Sequence, residues 1–186
     1  MKPLITLSML VFLAACPMSK SWGQVYLTRS GKLTFVSDAP LETITASSDN
    51  VQGAINISDR RFAFKIENKS FIGFNSPLQQ EHFYENYMET DKYGHSTFQG
   101  KIIEDLDNKN PDLQHVRAKG ILSIHGVEVE RIIPATVLFT EKGIQVESDF
   151  TVRLEDHDIR IPNVVNQKIA ETVDVRIQAL LKEKKD

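Results

Sequence analysis

The residues of this sequence best suited to metal binding or acid–base chemistry are its five histidines: His82, His95, His115, His125 and His157. None falls in an HExxH or HxH spacing, the patterns that bring two imidazoles to one metal ion. His157 is flanked by Glu155, Asp156 and Asp158, which is compatible either with a metal-binding loop or with a solvated acidic turn. We favour the solvated turn, because one imidazole among carboxylates is a common and unspecific pattern.

A second candidate for chemistry is the pair Ser123 and His125, which are two residues apart on a predicted strand and would share one face. Side chains at that spacing lie roughly 6 to 7 Å apart, which is too far for a nucleophile to donate to its base. The sequence contains no GxSxG elbow, phosphate loop, CxxC pair or nucleotide fingerprint. We therefore predict no catalytic residue, no metal and no cofactor, and a protein that is not an enzyme.

The first 23 residues predict an export signal: Lys2 precedes the short apolar run Leu4 to Ala15, and small or polar residues follow. That run is shorter than the about 20 residues that a transmembrane helix needs, so no membrane span is expected. Cleavage after Gly23 would release residues 24–186 into the periplasm. Leu13 to Cys16 also resembles a lipoprotein box, which would instead remove residues 1–15 and leave an acylated, tethered Cys16.

The charge balance after cleavage at Gly23 argues against two classes of partner. The signal contains Lys2, Lys20 and the only cysteine, so 20 basic and 25 acidic residues remain and no disulfide can form. An acidic chain without a run of Lys and Arg is a poor candidate for binding nucleic acid or an anionic membrane. The oligomeric state stays open, with a homodimer as one possibility.

Alternation of apolar and polar residues predicts a mainly antiparallel β-protein, and Gly143 to Leu154 shows it most clearly. Turn-forming pairs such as Ser30-Gly31 and Asp49-Asn50 divide the N-terminal half into short strands, and Pro134 predicts a bulge or an edge position. About eight to ten strands are expected. That number is enough to close an antiparallel barrel around one small elongated ligand.

One helix is predicted among the strands, from Pro77 to about Met88. Ser76 is the expected N-cap, Pro77 occupies the first helical position, and Gln79 can bond back to the cap. Phe83, Tyr84, Tyr87 and Met88 are expected on one side of this helix. An aromatic face of this kind predicts a lid over one end of the sheet.

The sequence resembles the YceI-like family of periplasmic lipocalin-like barrels associated with polyisoprenoid binding. The resemblance rests on His82-Phe83, on Lys92-Tyr93 with Thr97-Phe98, on Gly120 to Val127, and on Phe150 to Arg153 leading to Asp158-Ile159. Together these motifs extend over roughly residues 30 to 181. The resemblance implies an all-β antiparallel barrel of about eight strands with one short lid helix, which binds a long-chain isoprenoid or another lipid in its interior.

The side chains expected to line that interior and its lid are Phe62, Phe64, Ile66, His82, Phe83, Tyr87, Phe98, Ile102, Leu122, Ile124, Val146, Phe150, Val152, Val175 and Ile177. Periodicity alone favours a packed core of these residues that binds nothing. The resemblance favours a cavity, and with it a periplasmic binding protein for a polyprenyl chain or a quinone tail. The alternatives are a packed structural barrel without ligand, or a metal-dependent periplasmic enzyme that uses His157 or His82.

Overall fold

Eight antiparallel strands form a closed barrel in which each strand pairs with the next and the last pairs with the first. The structure is a computed structural model and describes residues 24–184. The strands are β1 Val25–Ala39, β2 Glu42–Asn56, β3 Arg61–Glu67, β4 His95–Ile102, β5 Gln114–Ile124, β6 Val127–Thr140, β7 Gly143–Arg153 and β8 Thr172–Glu183. The predicted all-β lipocalin-like barrel is confirmed. The predicted signal peptide, Cys16 and the cleavage site after Gly23 lie outside the described residues.

Two turns predicted in the N-terminal half are wrong, because both pairs lie inside long strands. Ser30-Gly31 belongs to β1 and Asp49-Asn50 to β2, and the register between these strands shifts on both sides of Gly31. A Cβ atom at Gly31 would lie only 3.1 Å from the Cβ of Ala179 on β8. The turn-forming residues therefore make a β-bulge, where glycine lets β1 and β8 approach closely.

Pro134 lies in β6, where it pairs with Arg117 of β5 but is beyond the end of the ladder to β7. Backbone pairing runs from Thr140↔Gly143 to Thr136↔Glu147 and stops there. Proline has no N–H to continue the ladder. Instead, the Ser148 hydroxyl donates to the Pro134 carbonyl at 2.6 Å.

The end of the barrel where the described chain begins and finishes is tightly packed, and we call it the closed pole. The Lys184 amide donates to the Val25 carbonyl at this end. Ile144 and Leu181 are both completely buried. The apolar side chains of this core are Ile55, Phe62, Ile102, Val116, Val137, Ile144, Val146, Ala179 and Leu181. Dense packing here seals this pole of the barrel.

At the opposite pole the chain between β3 and β4 forms the lid. An α-helix, α1 Pro77–His82, continues into a wider π-helical turn, Phe83–Tyr87. The predicted cap is confirmed, since the Ser76 hydroxyl accepts from the Gln79 amide at 3.2 Å. The Gln79 side chain, however, accepts from the Asn75 amide instead of the cap's own.

The π-helical turn also corrects the predicted aromatic face of the lid. Its extra residue per turn rotates the side chains relative to a regular α-helix. Tyr84 therefore leaves the predicted face, and its hydroxyl donates to the Phe71 carbonyl at 2.6 Å. Short 3₁₀ segments complete the fold at Asn68–Ser70, Leu154–His157 and Asn163–Val165. Within residues 24–184 no helix is long and apolar enough to cross a membrane.

Candidate ligand cavity

An internal cavity of about 540 Å³ extends from the closed-pole core to the lid. Its volume lies within the range of roughly 300 to 1,000 Å³ that is typical of small-molecule sites. Inward-facing Phe150, Val175 and Ile177 are only half-buried, because they border this space and not a packed neighbour. The barrel is therefore packed at one pole and hollow towards the other.

The structure places all fifteen side chains predicted for the interior and lid around this cavity. They are Phe62, Phe64, Ile66, His82, Phe83, Tyr87, Phe98, Ile102, Leu122, Ile124, Val146, Phe150, Val152, Val175 and Ile177. Period-two alternation puts the strand residues on the inner face, and the lid brings His82, Phe83 and Tyr87 over the opening. Their contact with a ligand stays a prediction.

Sequence reasoning missed three aromatic residues that close the cavity under the lid. Phe35 from β1 and Phe71 and Phe74 from the segment before α1 surround Phe83, with ring centroids 5.5, 5.6 and 5.0 Å from its ring. We call these four residues the lid cluster. The alternation of Leu33 and Phe35 along β1 could have revealed Phe35, whereas Phe71 and Phe74 lie in a loop without periodicity.

Polar side chains along the cavity wall already have partners within the protein. The Ser37 hydroxyl accepts from the Ala170 amide at 2.9 Å, and the Ser148 hydroxyl donates to Pro134 as described above. Buried Asn68 donates to the Tyr93 carbonyl at 2.7 Å. Since these groups are satisfied, the wall does not require polar atoms from a ligand.

The mouth of the cavity is polar and lies between the lid and the β1–β2 turn. The Glu42 carboxylate accepts from the side-chain amides of Asn75 and Gln79, at 3.0 and 3.1 Å. These hydrogen bonds, from Asn75 first, together with nearby Lys168, lower the pKa of Glu42. The carboxylate therefore stays ionised and ties the start of the lid helix to the barrel.

Hydrogen bonds of Asn68 join the two ends of the lid segment. Its backbone amide donates to the Gly94 carbonyl at 2.9 Å, and its side-chain oxygen accepts from the Ser96 hydroxyl at 2.8 Å. Because residues 68 and 94 are held side by side, the lid is a loop with fixed ends. Any movement of the lid must then occur between these two anchors.

Ser123 and His125 do not share a strand face as their spacing predicted, because His125 leaves the strand. His125 and Gly126 form the β5–β6 turn with φ of 51° and 75°, the left-handed geometry of a two-residue type I′ hairpin. The His125 Nε2 atom lies 2.7 Å from a Glu89 carboxylate oxygen at the end of the lid, and Nδ1 lies 3.1 Å from the His157 carbonyl. His125 thus joins the lid to the barrel.

The solvated turn that we favoured for His157 is also wrong, because the imidazole is completely buried. Its Nδ1 atom lies 3.3 Å from the Val127 carbonyl, and Nε2 has no hydrogen-bond partner among the described residues. Burial lowers the pKa of His157, and the Arg131 guanidinium acts in the same direction, against the hydrogen bond to Val127 and the charge of Asp156. The imidazole is therefore neutral and packs as part of the structure beneath the β7–β8 connection.

The buried imidazole predicts a loss of stability in mild acid. A folded-state pKa below the unfolded value of about 6.5 means that the unfolded chain binds the proton more readily. The contribution of His157 is therefore complete above about pH 6.5 and declines as the pH falls below it. Urea midpoints measured from pH 7.5 to 5 should fall more steeply for the native chain than for His157→Asn, whose amide can still donate to Val127. Equal slopes would contradict the neutral buried ring.

The remaining histidines do not join His157 in a metal-binding group. His82 is exposed at the mouth, and His95 and His115 are exposed at the ends of β4 and β5. Across residues 24–184 no three His, Asp, Glu or Cys side chains come together in a way that could hold a metal ion. The described residues instead form one apolar cavity beneath a lid that hydrogen bonds hold to the barrel.

The fold and the cavity together define a closed antiparallel β-barrel with an internal apolar site, a class that encloses single small molecules. The chain belongs to the YceI-like family, since the YceI-like domain matches residues 27–181. No curated protein sequence is significantly similar to it.

Three solved structures have the same fold. A polyisoprenoid binding domain from Saccharophagus degradans, implicated in plant cell wall breakdown, superposes with a TM-score of 0.73 at 17% identity and covers 87% of this chain and 99% of its own. BcnA from Burkholderia cenocepacia gives 0.67 at 14% identity, covering 81% and 94%. The YceI protein of Campylobacter jejuni gives 0.59 at 15% identity, covering 76% and 85%.

Proposed function

We propose that this protein binds a long apolar lipid, of the polyisoprenoid or isoprenoid-quinone type, in its barrel interior and performs no catalysis. The observation that carries the proposal is the apolar cavity of about 540 Å³ behind the lid. Membership of the YceI-like family and the fold shared with a polyisoprenoid binding domain support the choice of ligand. The N-terminal leader supports a periplasmic location, where such a protein would store or carry its lipid.

The energetics of the cavity fit a tail that binds with few polar contacts. Each CH₂ group moved from water into such an interior contributes about 0.8 kcal/mol, so several prenyl units suffice for tight binding. The mouth offers Glu42, Gln79, His82 and Lys168 to the polar end of the ligand. A lipid would therefore lie with its tail towards the closed pole and its head between the lid and the β1–β2 turn.

A chain-length series tests this function. Geraniol, farnesol, geranylgeraniol and longer prenyl alcohols should displace a fluorescent prenyl analogue with affinities that rise with each unit until the cavity is full, and then level off. A filled barrel would show no saturable binding. A rise without a plateau would indicate binding to an open surface and would contradict an enclosed site of this size.

The positions of the lid residues indicate which side chain controls the release of the lipid. Phe83 is the centre of the lid cluster, so its removal should disturb folding as well as binding. Tyr87 also lines the cavity and is half-buried, and burial raises the pKa of its hydroxyl. We expect Tyr87→Ala to raise the dissociation rate of a fluorescent prenyl analogue about tenfold while the free energy of unfolding changes by only about 1 kcal/mol.

Stopped-flow release beside urea denaturation of the lipid-free protein separates the two effects. Tyr84→Ala is the control variant on the same turn, because Tyr84 contacts the Phe71 carbonyl and does not line the cavity. An unchanged release rate for Tyr87→Ala would show that the lid is a fixed plug.

A further inference from the structure

Three large apolar side chains are exposed around the mouth of the cavity, each on a different segment. Leu41 in the β1–β2 turn is 66% exposed, Leu78 in the first turn of α1 is 59% exposed, and Val164 in the last 3₁₀ segment is 88% exposed. We call segments 40–42, 77–80 and 163–168 the rim. Single exposed apolar side chains are common, but several of them gathered around one opening are a feature of interaction sites.

Hydrogen bonds hold the three rim segments together at this pole. The Leu41 amide donates to the Gln167 carbonyl at 2.9 Å, which joins the β1–β2 turn to the segment that contains Val164. The Gln79 side chain donates to Glu42 and joins the same turn to α1. The segments that carry the exposed leucines and valine therefore form one connected structure at this pole.

The rim is continuous with the cavity. Leu78 and Val165 both line the cavity, and Val165 is the immediate neighbour of Val164. Apolar side chains therefore reach from the interior through the mouth to the outside, beside the charged pair Glu42 and Lys168. A tail that leaves the cavity at this point can pass directly into an apolar phase seated on the rim.

The charge of the rim indicates which surface it suits. Glu42 and Lys168 are the only charged residues in the three segments, and their charges cancel. The other polar residues are the amides Gln79, Gln80, Asn163, Asn166 and Gln167. A neutral rim of amides and exposed aliphatic residues suits the uncharged interfacial region of a bilayer and gives no reason for a preference for anionic lipid.

From these observations we propose that the rim docks on the surface of a zwitterionic lipid bilayer, so that the lipid passes between membrane and cavity without entering water. The transfer of lipid in this inference rests on the proposed function, whereas docking on the bilayer can be measured without any ligand. The apolar side chains stand around an opening, to which a fluid bilayer can conform. The first and last described residues lie at the closed pole, at the other end of the barrel from the rim.

The test uses the double variant Leu41→Ser with Val164→Ser, since neither side chain lines the cavity. Leu113→Ser with Ile132→Ser is the matched control, because those residues are similarly exposed, at 52% and 55%, but lie away from the mouth. Co-sedimentation of lipid-free protein with phosphatidylcholine vesicles measures docking alone. Stopped-flow transfer of a fluorescent prenyl alcohol from the same vesicles measures delivery.

We expect the rim variant to lose vesicle binding and to slow transfer about tenfold, while the control behaves as the native chain. The affinity for the same probe added from ethanol should not change, and salt should have little effect on docking.

Equal co-sedimentation for all three proteins would overturn the proposal. So would a rim variant that changes only the oligomeric state, which would make the rim an interface between two copies. Loss of probe binding in every protein, with docking intact, would refute the proposed function and leave the docking standing.

Discussion

Val175→Phe is expected to weaken lipid binding strongly while the barrel stays folded. Val175 faces inward on β8, between Phe35 of β1 and Phe150 of β7, and it borders the cavity. A phenyl ring at this position would fill space that the lipid tail needs, and we expect the affinity for a prenyl analogue to fall at least tenfold, about 1.4 kcal/mol. In a packed core the same change would instead cost roughly 1 to 3 kcal/mol of stability.

Val36→Phe is the control for this experiment, since it makes the same change on the outer face. Val36 pairs with Asp174 one residue away from Val175 and does not line the cavity. Fluorescence titration and urea denaturation should show native binding and native stability for this variant. If Val175→Phe unfolds the protein and Val36→Phe does not, the barrel is filled at this level and the hollow interior is wrong.

The second large effect is a difference in stability between the two poles. Ile144→Ala is expected to lower the free energy of unfolding by roughly 2 to 5 kcal/mol, because Ile144 is fully buried in the closed-pole core and its loss leaves a void. Phe150→Ala, on the same strand, enlarges a space that already exists. Its cost should be smaller than that of Ile144→Ala, although phenylalanine is the larger side chain.

Urea denaturation of the two variants measures this difference, with Asp149→Ala as the exposed control on the same strand. Asp149 pairs with Arg176 on the outer surface, and such exposed pairs contribute little to stability because water screens them. A larger loss for Phe150→Ala than for Ile144→Ala would mean that the region around Phe150 is packed. The division of the barrel into a solid and a hollow half would then be incorrect.

Much of the barrel could be predicted because alternation along a strand reports directly which side chains face inward. Ile144, Val146, Phe150 and Val152 follow that period along β7 and all face the interior. The start of the lid could be predicted for a similar reason, since the cap formed by Ser76 and Gln79 is a local interaction between residues close in sequence.

The errors arose where contacts distant in sequence decide the local structure. The local sequence places Gly31 in a turn, yet its role is to let β1 approach Ala179 on β8, which no local pattern shows. The acidic neighbours of His157 predict a solvated ring, although the Val127 carbonyl and the β7–β8 connection bury it. Phe71 and Phe74 could not be assigned to the cavity, because only the folded lid brings them to Phe83.

The location of the empty space could not be predicted at all from periodicity. An inward face of phenylalanine, valine and isoleucine looks the same in sequence whether it packs against other side chains or borders a void. The separation of the closed-pole core from the cavity depends on barrel diameter and on how the lid sits, and both are properties of the assembled sheet.

Mass spectrometry of the organic extract from purified protein, produced from its full sequence in a bacterium, tests the central claim most directly. The lipid-binding account predicts one class of isoprenoid, recovered in near-stoichiometric amount from the native chain and depleted from Val175→Phe. Recovery of no lipid from a folded native chain, or of equal amounts from both proteins, would contradict an apolar ligand held inside the barrel.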